Sequence, residues 1–116
     1  MKKSPKQILK EKCVKKATEN KLEETPYCVF CGQLASTCHH FVHQARSNYL
    51  RCDSRNLIPI CKICHCKLHN GYEPIMALQL RNMFGEEWAE GLLRDSQKSI
   101  CDTMGHWKEV FKELNN

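Results

Sequence analysis

The sequence has few of the features that mark secreted and membrane proteins. No apolar run approaches the roughly 20 residues that a membrane span needs, and no apolar N-terminal run followed by small residues indicates a secretory signal. Aromatic residues make up only 8% of the 116 residues, which limits the apolar core. Chains of this size and composition commonly rely on metal ions or disulfides for stability. These absences predict one compact cytoplasmic unit that does not enter a membrane.

Cysteine and histidine, in contrast, are abundant, with nine and six residues. Disulfides are disfavoured in the cytoplasm, so cysteines at short fixed spacings indicate zinc thiolates. Cys28-Val-Phe-Cys31 and Cys61-Lys-Ile-Cys64 are two such pairs and predict a closed, structural four-thiolate zinc site. Cys66 is an alternative to Cys64, with a less favourable spacing. The other cysteines are predicted to be small core residues: Cys13, Cys38, Cys52 and Cys101.

Histidines outside these pairs indicate a second metal site. His65 and His69 are four residues apart, so on a helix that follows the second cysteine pair their imidazoles share one face. A third imidazole from a preceding strand, His39, would leave coordination positions open to water and phosphate. Consecutive strand residues point to opposite faces, which predicts that His40 does not join this ion and is free for other chemistry.

The order His39-His40, Asn56, His65-x-x-x-His69 resembles the HNH, or ββα-metal, nuclease motif in its two-histidine form. The paired cysteines resemble the zinc-stapled phage and bacterial branch of that family. The resemblance implies that His39, His65 and His69 bind one catalytic divalent ion, which could be Mg²⁺, Mn²⁺, Ni²⁺ or Zn²⁺. It further implies that His40 is the general base, and that Asn56 fixes the loop and orients His40.

The segment from Cys38 to His69 is also similar to phage recombination endonucleases of the Rap and NinG type, which act on branched DNA. A weaker similarity continues into Met83-Phe-Gly-Glu-Glu-Trp88 and the charged helix after it. The resemblance therefore implies a metal-dependent DNA endonuclease of a phage or prophage. The helical tails hold no motif that distinguishes branched DNA from plain duplex.

The net charge of +5 makes a polyanion a plausible partner. Arg46, Arg51 and Arg55 lie between the histidine pair and Asn56, where guanidinium groups can contact phosphate oxygens. His43 is either a further metal ligand or a residue that faces phosphate. Because phosphate contacts carry no sequence information, we expect weak sequence preference on duplex or branched DNA.

The patterns predict an α+β fold in three parts within one unit. Residues 1–24 form a basic N-terminal helix, 25–73 the HNH core with its zinc site, and 74–116 a C-terminal helical extension. The first of these parts has eight lysines, and seven of them lie within residues 1–16: Lys2, Lys3, Lys6, Lys10, Lys12, Lys15 and Lys16.

Capping residues and apolar spacing predict the helices and strands within these parts. Ser4 caps a helix that runs to about Glu19, with Ile8, Leu9, Cys13, Val14 and Ala17 on its apolar face and lysines on the other. Segments 37–42 and 56–60 suit strands, a helix begins at Pro74 and stops at Gly85, and another short helix surrounds Trp88. An apolar stripe from Ile100 to Leu114 can pack within the chain or form a homodimer.

Two other functions fit the same residues. One is a non-catalytic zinc-binding module that binds DNA or protein, and the other is an antitoxin-like or assembly factor on an HNH scaffold. A second, exchangeable metal site open to water separates the enzyme from a module whose sites are all closed.

Overall fold

The fold is α+β, with a two-stranded antiparallel sheet among helices, in a computed structural model that describes residues 2–116. The elements in chain order are α1 (Pro5–Glu24), β1 (Thr37–His40), a 3-10 turn (Ser54–Asn56), β2 (Leu57–Ile60), α2 (Lys62–Lys67), a widened helical turn (Leu68–Tyr72), α3 (Glu73–Phe84), α4 (Glu86–Asp95) and α5 (Met104–Leu114). Within the described residues, no helix combines the length and the apolarity that a membrane crossing needs.

Helix α1 begins as its sequence predicts. The Ser4 hydroxyl accepts a hydrogen bond from the Gln7 backbone N–H, and Pro5 stands in the first turn, where its missing N–H costs nothing. The helix ends at Glu24, five residues beyond the predicted Glu19. The residues between are good helix formers, and the helix stops only next to Thr25, whose backbone is restricted by the proline that follows it.

Helices α1 and α5 pack against each other around Trp107, which is 1% exposed. The Trp107 indole N–H donates to Asp102 Oδ1 at 2.7 Å, and the Cys13 thiol lies 3.4 Å from the Trp107 carbonyl oxygen. The apolar stripe of α5 therefore packs within the chain, which was the first of the two predicted alternatives. A homodimer through this helix stays a prediction.

The apolar face of α1 differs from its prediction at two positions. Ile8 is 44% exposed, whereas Lys10 is only 7% exposed. Lys10 is buried because its ammonium lies 5.4 Å from the centre of the Trp107 ring and 3.4 Å from Asp102 Oδ2, so that its charge is compensated. The lysines of α1 consequently do not all face solvent.

Strands β1 and β2 pair antiparallel from Thr37 opposite Ile60 to His40 opposite Leu57. Every residue of β2 is buried, as expected for an apolar strand in the centre of a small domain. Strand β1 stops at His40, two residues before the predicted end, because the chain turns there into the loop 41–53. The sheet thus presents the histidine pair at the point where β1 gives way to a loop.

Two glycines set the ends of α3. Gly71, with φ of 97°, interrupts the helical path between α2 and α3 within the widened turn. Gly85, with φ of 96°, ends α3 at the predicted residue, and its N–H donates to the Arg81 carbonyl. Such positive φ values favour glycine because it has no Cβ.

Buried side chains form two clusters besides the α1–α5 contact. One joins the cysteine pairs to α3 and consists of Cys28, Ile60, Cys61, Cys64, Leu68 and Met76. The other packs the loop 41–53 against α4 and consists of Val42, Leu50 and Leu92, with Phe41 and Trp88 at its margin. The segment 39–69, which carries five of the histidines, therefore has buried residues in both clusters.

Candidate metal centre and active-site cavity

The four cysteines of the two predicted pairs lie together. The Sγ atoms of Cys28, Cys31, Cys61 and Cys64 are all within 4.8 Å of one another, and those of Cys31 and Cys61 are 3.5 Å apart. Sulfurs bound tetrahedrally to zinc at 2.3 Å stand roughly 3.8 Å from each other, so the arrangement fits one zinc ion. Cys66 is exposed and outside the group. The four cysteines thus fit the predicted structural zinc site.

Local backbone bonds build this tetrad. The Cys28 N–H donates to the Gln33 carbonyl at 2.7 Å, and the Val29 N–H donates to the Pro59 carbonyl at 3.1 Å, which ties the first pair to β2. Cys61 directly follows β2 and caps α2, since its sulfur accepts the Cys64 N–H. This backbone hydrogen bond lowers the pKa of Cys61 to about 7, which favours the thiolate that zinc binds.

The remaining cysteines have different environments. Cys13 is fully buried, as predicted. Cys38 and Cys52 are half-buried, and burial raises the pKa of their thiols to about 11 and about 12, so both are unreactive near neutral pH. Cys101 is exposed, so its prediction as a core residue is wrong. It lies in the segment before α5, where the chain runs over the surface.

A cavity of about 430 Å³ brings most of the predicted catalytic residues together. Its polar lining comes from β1, from the start of the following loop, from α2, from the widened turn and from the beginning of α3: His39, His40, His43, Gln44, His65, His69 and Glu73. Cys38 and Leu68 complete the wall.

His65 and His69 form a close pair in this cavity. Their Nε2 atoms are 2.9 Å apart, with His65 on α2 and His69 one helical turn later. Two imidazoles on one tetrahedral zinc ion place their nitrogens roughly 3.3 Å apart, so a movement of a few tenths of an ångström fits both to one ion. Burial, and next the charge of His69, lower the pKa of His65, which favours the neutral ligand form. The pair can therefore share one cation.

His39 lines the same cavity but stands further from the pair. Within residues 2–116, the cysteine tetrad is the only group of three or more candidate ligands whose atoms all lie within 4.8 Å of one another. The His39 ring packs edge-on to His43, with ring centroids 6.0 Å apart. Burial lowers the pKa of His39 to about 4, against the opposing effect of Glu73, so the imidazole is neutral at neutral pH.

The His40 ring is oriented by one hydrogen bond to the backbone. Its Nε2 lies 2.8 Å from the Arg51 carbonyl oxygen, and because a carbonyl only accepts, Nε2 carries the proton. In the neutral ring Nδ1 then keeps its lone pair, and burial lowers the pKa of His40. The alternation of side chains along a strand predicted that His40 points away from His39, but both residues line the cavity. It is the last residue of β1, where the regular strand ends.

Asn56 is fully buried beneath the loop that holds His40. Its Oδ1 accepts the Val42 N–H at 2.7 Å, and its Nδ2 donates to the carbonyls of Val42 at 2.9 Å and of Leu50 at 3.2 Å. The Leu50 carbonyl is one residue before the Arg51 carbonyl that His40 contacts. Asn56 thereby closes the loop and fixes the carbonyl region against which His40 is oriented.

The three predicted DNA-contacting arginines are not equivalent. The Arg51 guanidinium donates to Gln44 at 3.0 Å and 3.2 Å, and its Nε donates to Asn48. Arg55 pairs with carboxylates of the loop and of α4, Asp53 and Asp95. Arg46 is exposed, and within residues 2–116 its side chain forms no hydrogen bond or ion pair. Arg46 is therefore the one whose charge the fold leaves uncompensated.

Glu73 is a cavity residue that the sequence patterns did not single out. Its Oε1 lies 2.6 Å from His43 Nε2, so the His43 ring is held by a carboxylate of α3. The signal was present in the sequence, because Glu73 continues the four-residue spacing of His65 and His69. The Glu73 carboxylate adds an oxygen ligand to the five imidazoles that line the cavity.

Comparison of the chain with protein-family models, with curated proteins and with solved structures finds no match. The geometry of the two sites is thus the basis for assigning a function. That geometry consists of a thiolate tetrad, a histidine pair that can share a cation, and an oriented, buried imidazole next to it.

Proposed function

We propose that this protein is a metal-dependent phosphodiester hydrolase. Its site would be the cavity of about 430 Å³ that the histidines and Glu73 line. The observation that carries the proposal is the combination of His40 and the His65–His69 pair in one cavity. His40 has one nitrogen fixed by the Arg51 carbonyl and the other free to accept a proton. A cation held by the pair would stand in the cavity that His40 also lines.

The particular class that we propose is a DNA endonuclease of the HNH type. The proposal is supported by the element order, because the antiparallel strands β1 and β2 are followed by helix α2, with His39 and His40 at the end of β1 and His65 in α2. The similarity of segment 38–69 to phage recombination endonucleases extends the proposal to branched or recombination DNA. The thiolate tetrad would supply folding free energy instead of chemistry.

In this mechanism the chain's own residues hold the base and position the reacting water. A bound divalent ion would supply Lewis acidity to the phosphate and the leaving oxygen. His40 takes a proton from water at Nδ1, while its Nε2–H stays bonded to the Arg51 carbonyl. Asn56 keeps that carbonyl region in place through its bonds to Val42 and Leu50. Near neutral pH, the lowered pKa of His40 keeps the base unprotonated.

DNA is the substrate that the charge distribution favours. The chain has a net charge of +5, and Arg46 is exposed three residues after His43, which lines the cavity. Arg51 and Arg55 would act mainly by supporting the fold, since their guanidinium groups already have partners. One free arginine and surface lysines hold phosphates without reading bases, so weak sequence preference is expected.

Nicking of supercoiled plasmid by the zinc-loaded protein, with Mg²⁺, Mn²⁺, Ni²⁺ or Zn²⁺ supplied in turn, tests the proposal. His40→Ala should lower the rate by at least about 100-fold without loss of metal, since it removes the base. His39→Ala should bind the exchangeable ion less tightly and recover activity at high metal concentration. If rigorously purified wild-type protein nicks no more than His40→Ala with any ion, the hydrolase proposal fails.

A non-catalytic zinc module is the second candidate, and one observation favours it. Only the cysteine tetrad brings three or more candidate ligands within 4.8 Å in residues 2–116, whereas His39 stands further from the histidine pair. Metal analysis distinguishes the two functions. Two ions per chain, one of them exchangeable, support the hydrolase; a single tightly held zinc supports the module.

A further inference from the structure

Glu73 is the only acidic residue that lines the cavity of about 430 Å³, within the part of the chain that the structure describes. The other polar side chains of the lining belong to five histidines and one glutamine. Neutral imidazoles do not compensate the charge of a divalent cation, and Mg²⁺ and Mn²⁺ prefer oxygen ligands. A cation held by His65 and His69 therefore has one carboxylate available in its cavity.

One oxygen of the Glu73 carboxylate is held and the other is free. Oε1 lies 2.6 Å from His43 Nε2, and because a carboxylate only accepts, Nε2 carries the proton. Oε2 forms no hydrogen bond or ion pair within residues 2–116. Carboxylates that bind metal ions are commonly oriented in this way, by a hydrogen bond from a neighbouring group. Glu73 thus has the arrangement of a metal ligand whose second oxygen is available.

The contact between His43 and Glu73 contributes little to the stability of the fold, since the two side chains are 57% and 41% exposed. His43 lies at the start of the loop 41–53 and Glu73 begins α3, so the contact joins two segments that both line the cavity. His43 cannot bind a cation through Nε2 while that nitrogen donates to Glu73. A function in the cavity therefore explains the contact better than folding does.

The path of the chain brings Glu73 to the histidine pair. His65, His69 and Glu73 follow one another at intervals of four residues, and all three line one cavity. Two residues of the widened turn have non-helical backbone angles, so α3 begins anew at Glu73. The Glu73 side chain has more rotatable bonds than the ring of His39, which is carried by β1. Glu73 can therefore reach a cation on the pair without a change in the sheet.

We propose that Glu73 binds, through Oε2, the cation that His65 and His69 hold, and that His43 is the residue that positions its carboxylate. Two imidazoles and one carboxylate are a ligand set of catalytic zinc sites, and the carboxylate also suits Mn²⁺. The predicted role of His39 is unchanged by this addition. The inference rests on the cation site of the proposed function, but ion binding is measurable without any cleavage.

Binding of Mn²⁺ to the zinc-loaded full chain, followed by electron paramagnetic resonance of the free ion, tests the inference. Mn²⁺ is the probe because it prefers oxygen and nitrogen ligands and does not displace zinc from thiolates. Glu73→Ala should weaken its binding at least about 10-fold, since a ligand is lost. Water-proton relaxation should show about one more water on the bound ion. The control is Glu90→Ala, because Glu90 is exposed on α4 outside the cavity, and it should bind Mn²⁺ as the wild type does.

Substitutions of His43 distinguish a positioning residue from a ligand. His43→Ala should weaken Mn²⁺ binding about 10-fold, the usual effect of losing a residue that orients a metal ligand. His43→Gln keeps an N–H donor for Glu73 and should retain most of the affinity. In the Glu73→Ala background, His43→Ala should have no further effect, because it acts only through Glu73. Equal loss in the alanine and glutamine variants, or a further loss in the double variant, would show that His43 binds the ion itself.

Failure of this inference differs from failure of the hydrolase proposal. If Glu73→Ala binds Mn²⁺ as tightly as the wild type with unchanged hydration, Glu73 is not a ligand, even where the wild type cleaves plasmid. Weaker binding with unchanged hydration would overturn the ligand role in favour of an effect of charge alone, and a wild type that binds no Mn²⁺ would overturn it outright. A wild type that binds Mn²⁺ through Glu73 but cleaves no DNA would support the inference and contradict the hydrolase proposal.

Discussion

Replacement of Asn56 by alanine tests how far the loop 41–53 depends on a single side chain. Asn56 is fully buried and forms one bond to the Val42 N–H and two to the carbonyls of Val42 and Leu50. Alanine leaves the buried Val42 N–H without this partner, which costs about 1–3 kcal/mol, and weakens the two carbonyl contacts. We therefore expect a loss of about 3 kcal/mol, which in a domain of this size lowers Tm by about 10 °C.

The assay is thermal unfolding of the zinc-loaded protein, followed by circular dichroism. Asn82→Ala is the matched control because Asn82 is exposed on α3, and it should leave Tm unchanged. Asn56→Asp keeps an acceptor for the Val42 N–H but sets a buried carboxylate oxygen against the carbonyl oxygens of Val42 and Leu50, so its Tm should also fall well below that of the wild type. Plasmid nicking should fall in Asn56→Ala even below its Tm. If Asn56→Ala melts within about 2 °C of the wild type, the loop does not depend on these bonds.

Three further predictions concern other parts of the chain. Hydrogen bonding from Trp107 and then the ammonium of Lys10 lower the pKa of Asp102 from 3.8 to about 2, so its ion pair contributes stability above pH 4 that is lost between pH 4 and pH 2. Asp102→Asn should flatten the dependence of Tm on pH in that range, and an unchanged slope would contradict the reasoning. Arg46→Ala should reduce the salt dependence of DNA binding by about one ion at equal Tm, whereas Arg55→Ala should mainly lower Tm. Cys28→Ser should lose the tightly bound zinc ion and lower Tm by more than about 10 °C. A variant that retains the zinc ion and the wild-type Tm would contradict the assignment of the four cysteines to one zinc site.

The elements that sequence predicted well are those with local signals. The Ser4 cap, the Gly85 stop and the spacing within each cysteine pair depend on neighbouring residues, and the structure has all of them. The α+β class and the positions of the two strands, near residues 37 and 60, also follow from local patterns. What these signals share is that the responsible contacts lie within a few residues of each other.

Sequence reasoning failed where the environment of a side chain is determined by a residue far away along the chain. Lys10 belongs by type to a solvated face, yet Asp102 and Trp107, more than 90 residues later, compensate its burial. Glu73 continues the spacing of His65 and His69, but its contact with His43, 30 residues earlier, gives no signal in the sequence. The DNA contact of Arg55 stays a prediction, but its ion pair with Asp95 of α4 has no signal in the sequence. In each case the partner could be identified only after the helices were packed.

Helix α2 links the cysteine tetrad to the histidine pair that we propose as a second metal site, in a way that neither motif shows alone. Its first turn is capped by Cys61 and holds Cys64 in the tetrad, while His65 follows directly and His69 lies one turn later. A helix of six residues has too few backbone bonds to be stable by itself. Its direction must therefore be set by its contacts, and the tetrad with Ile60, Leu68 and Met76 provides them. Zinc at the tetrad would consequently determine where the histidine pair points, so loss of that ion should abolish binding of a second ion even with every histidine present.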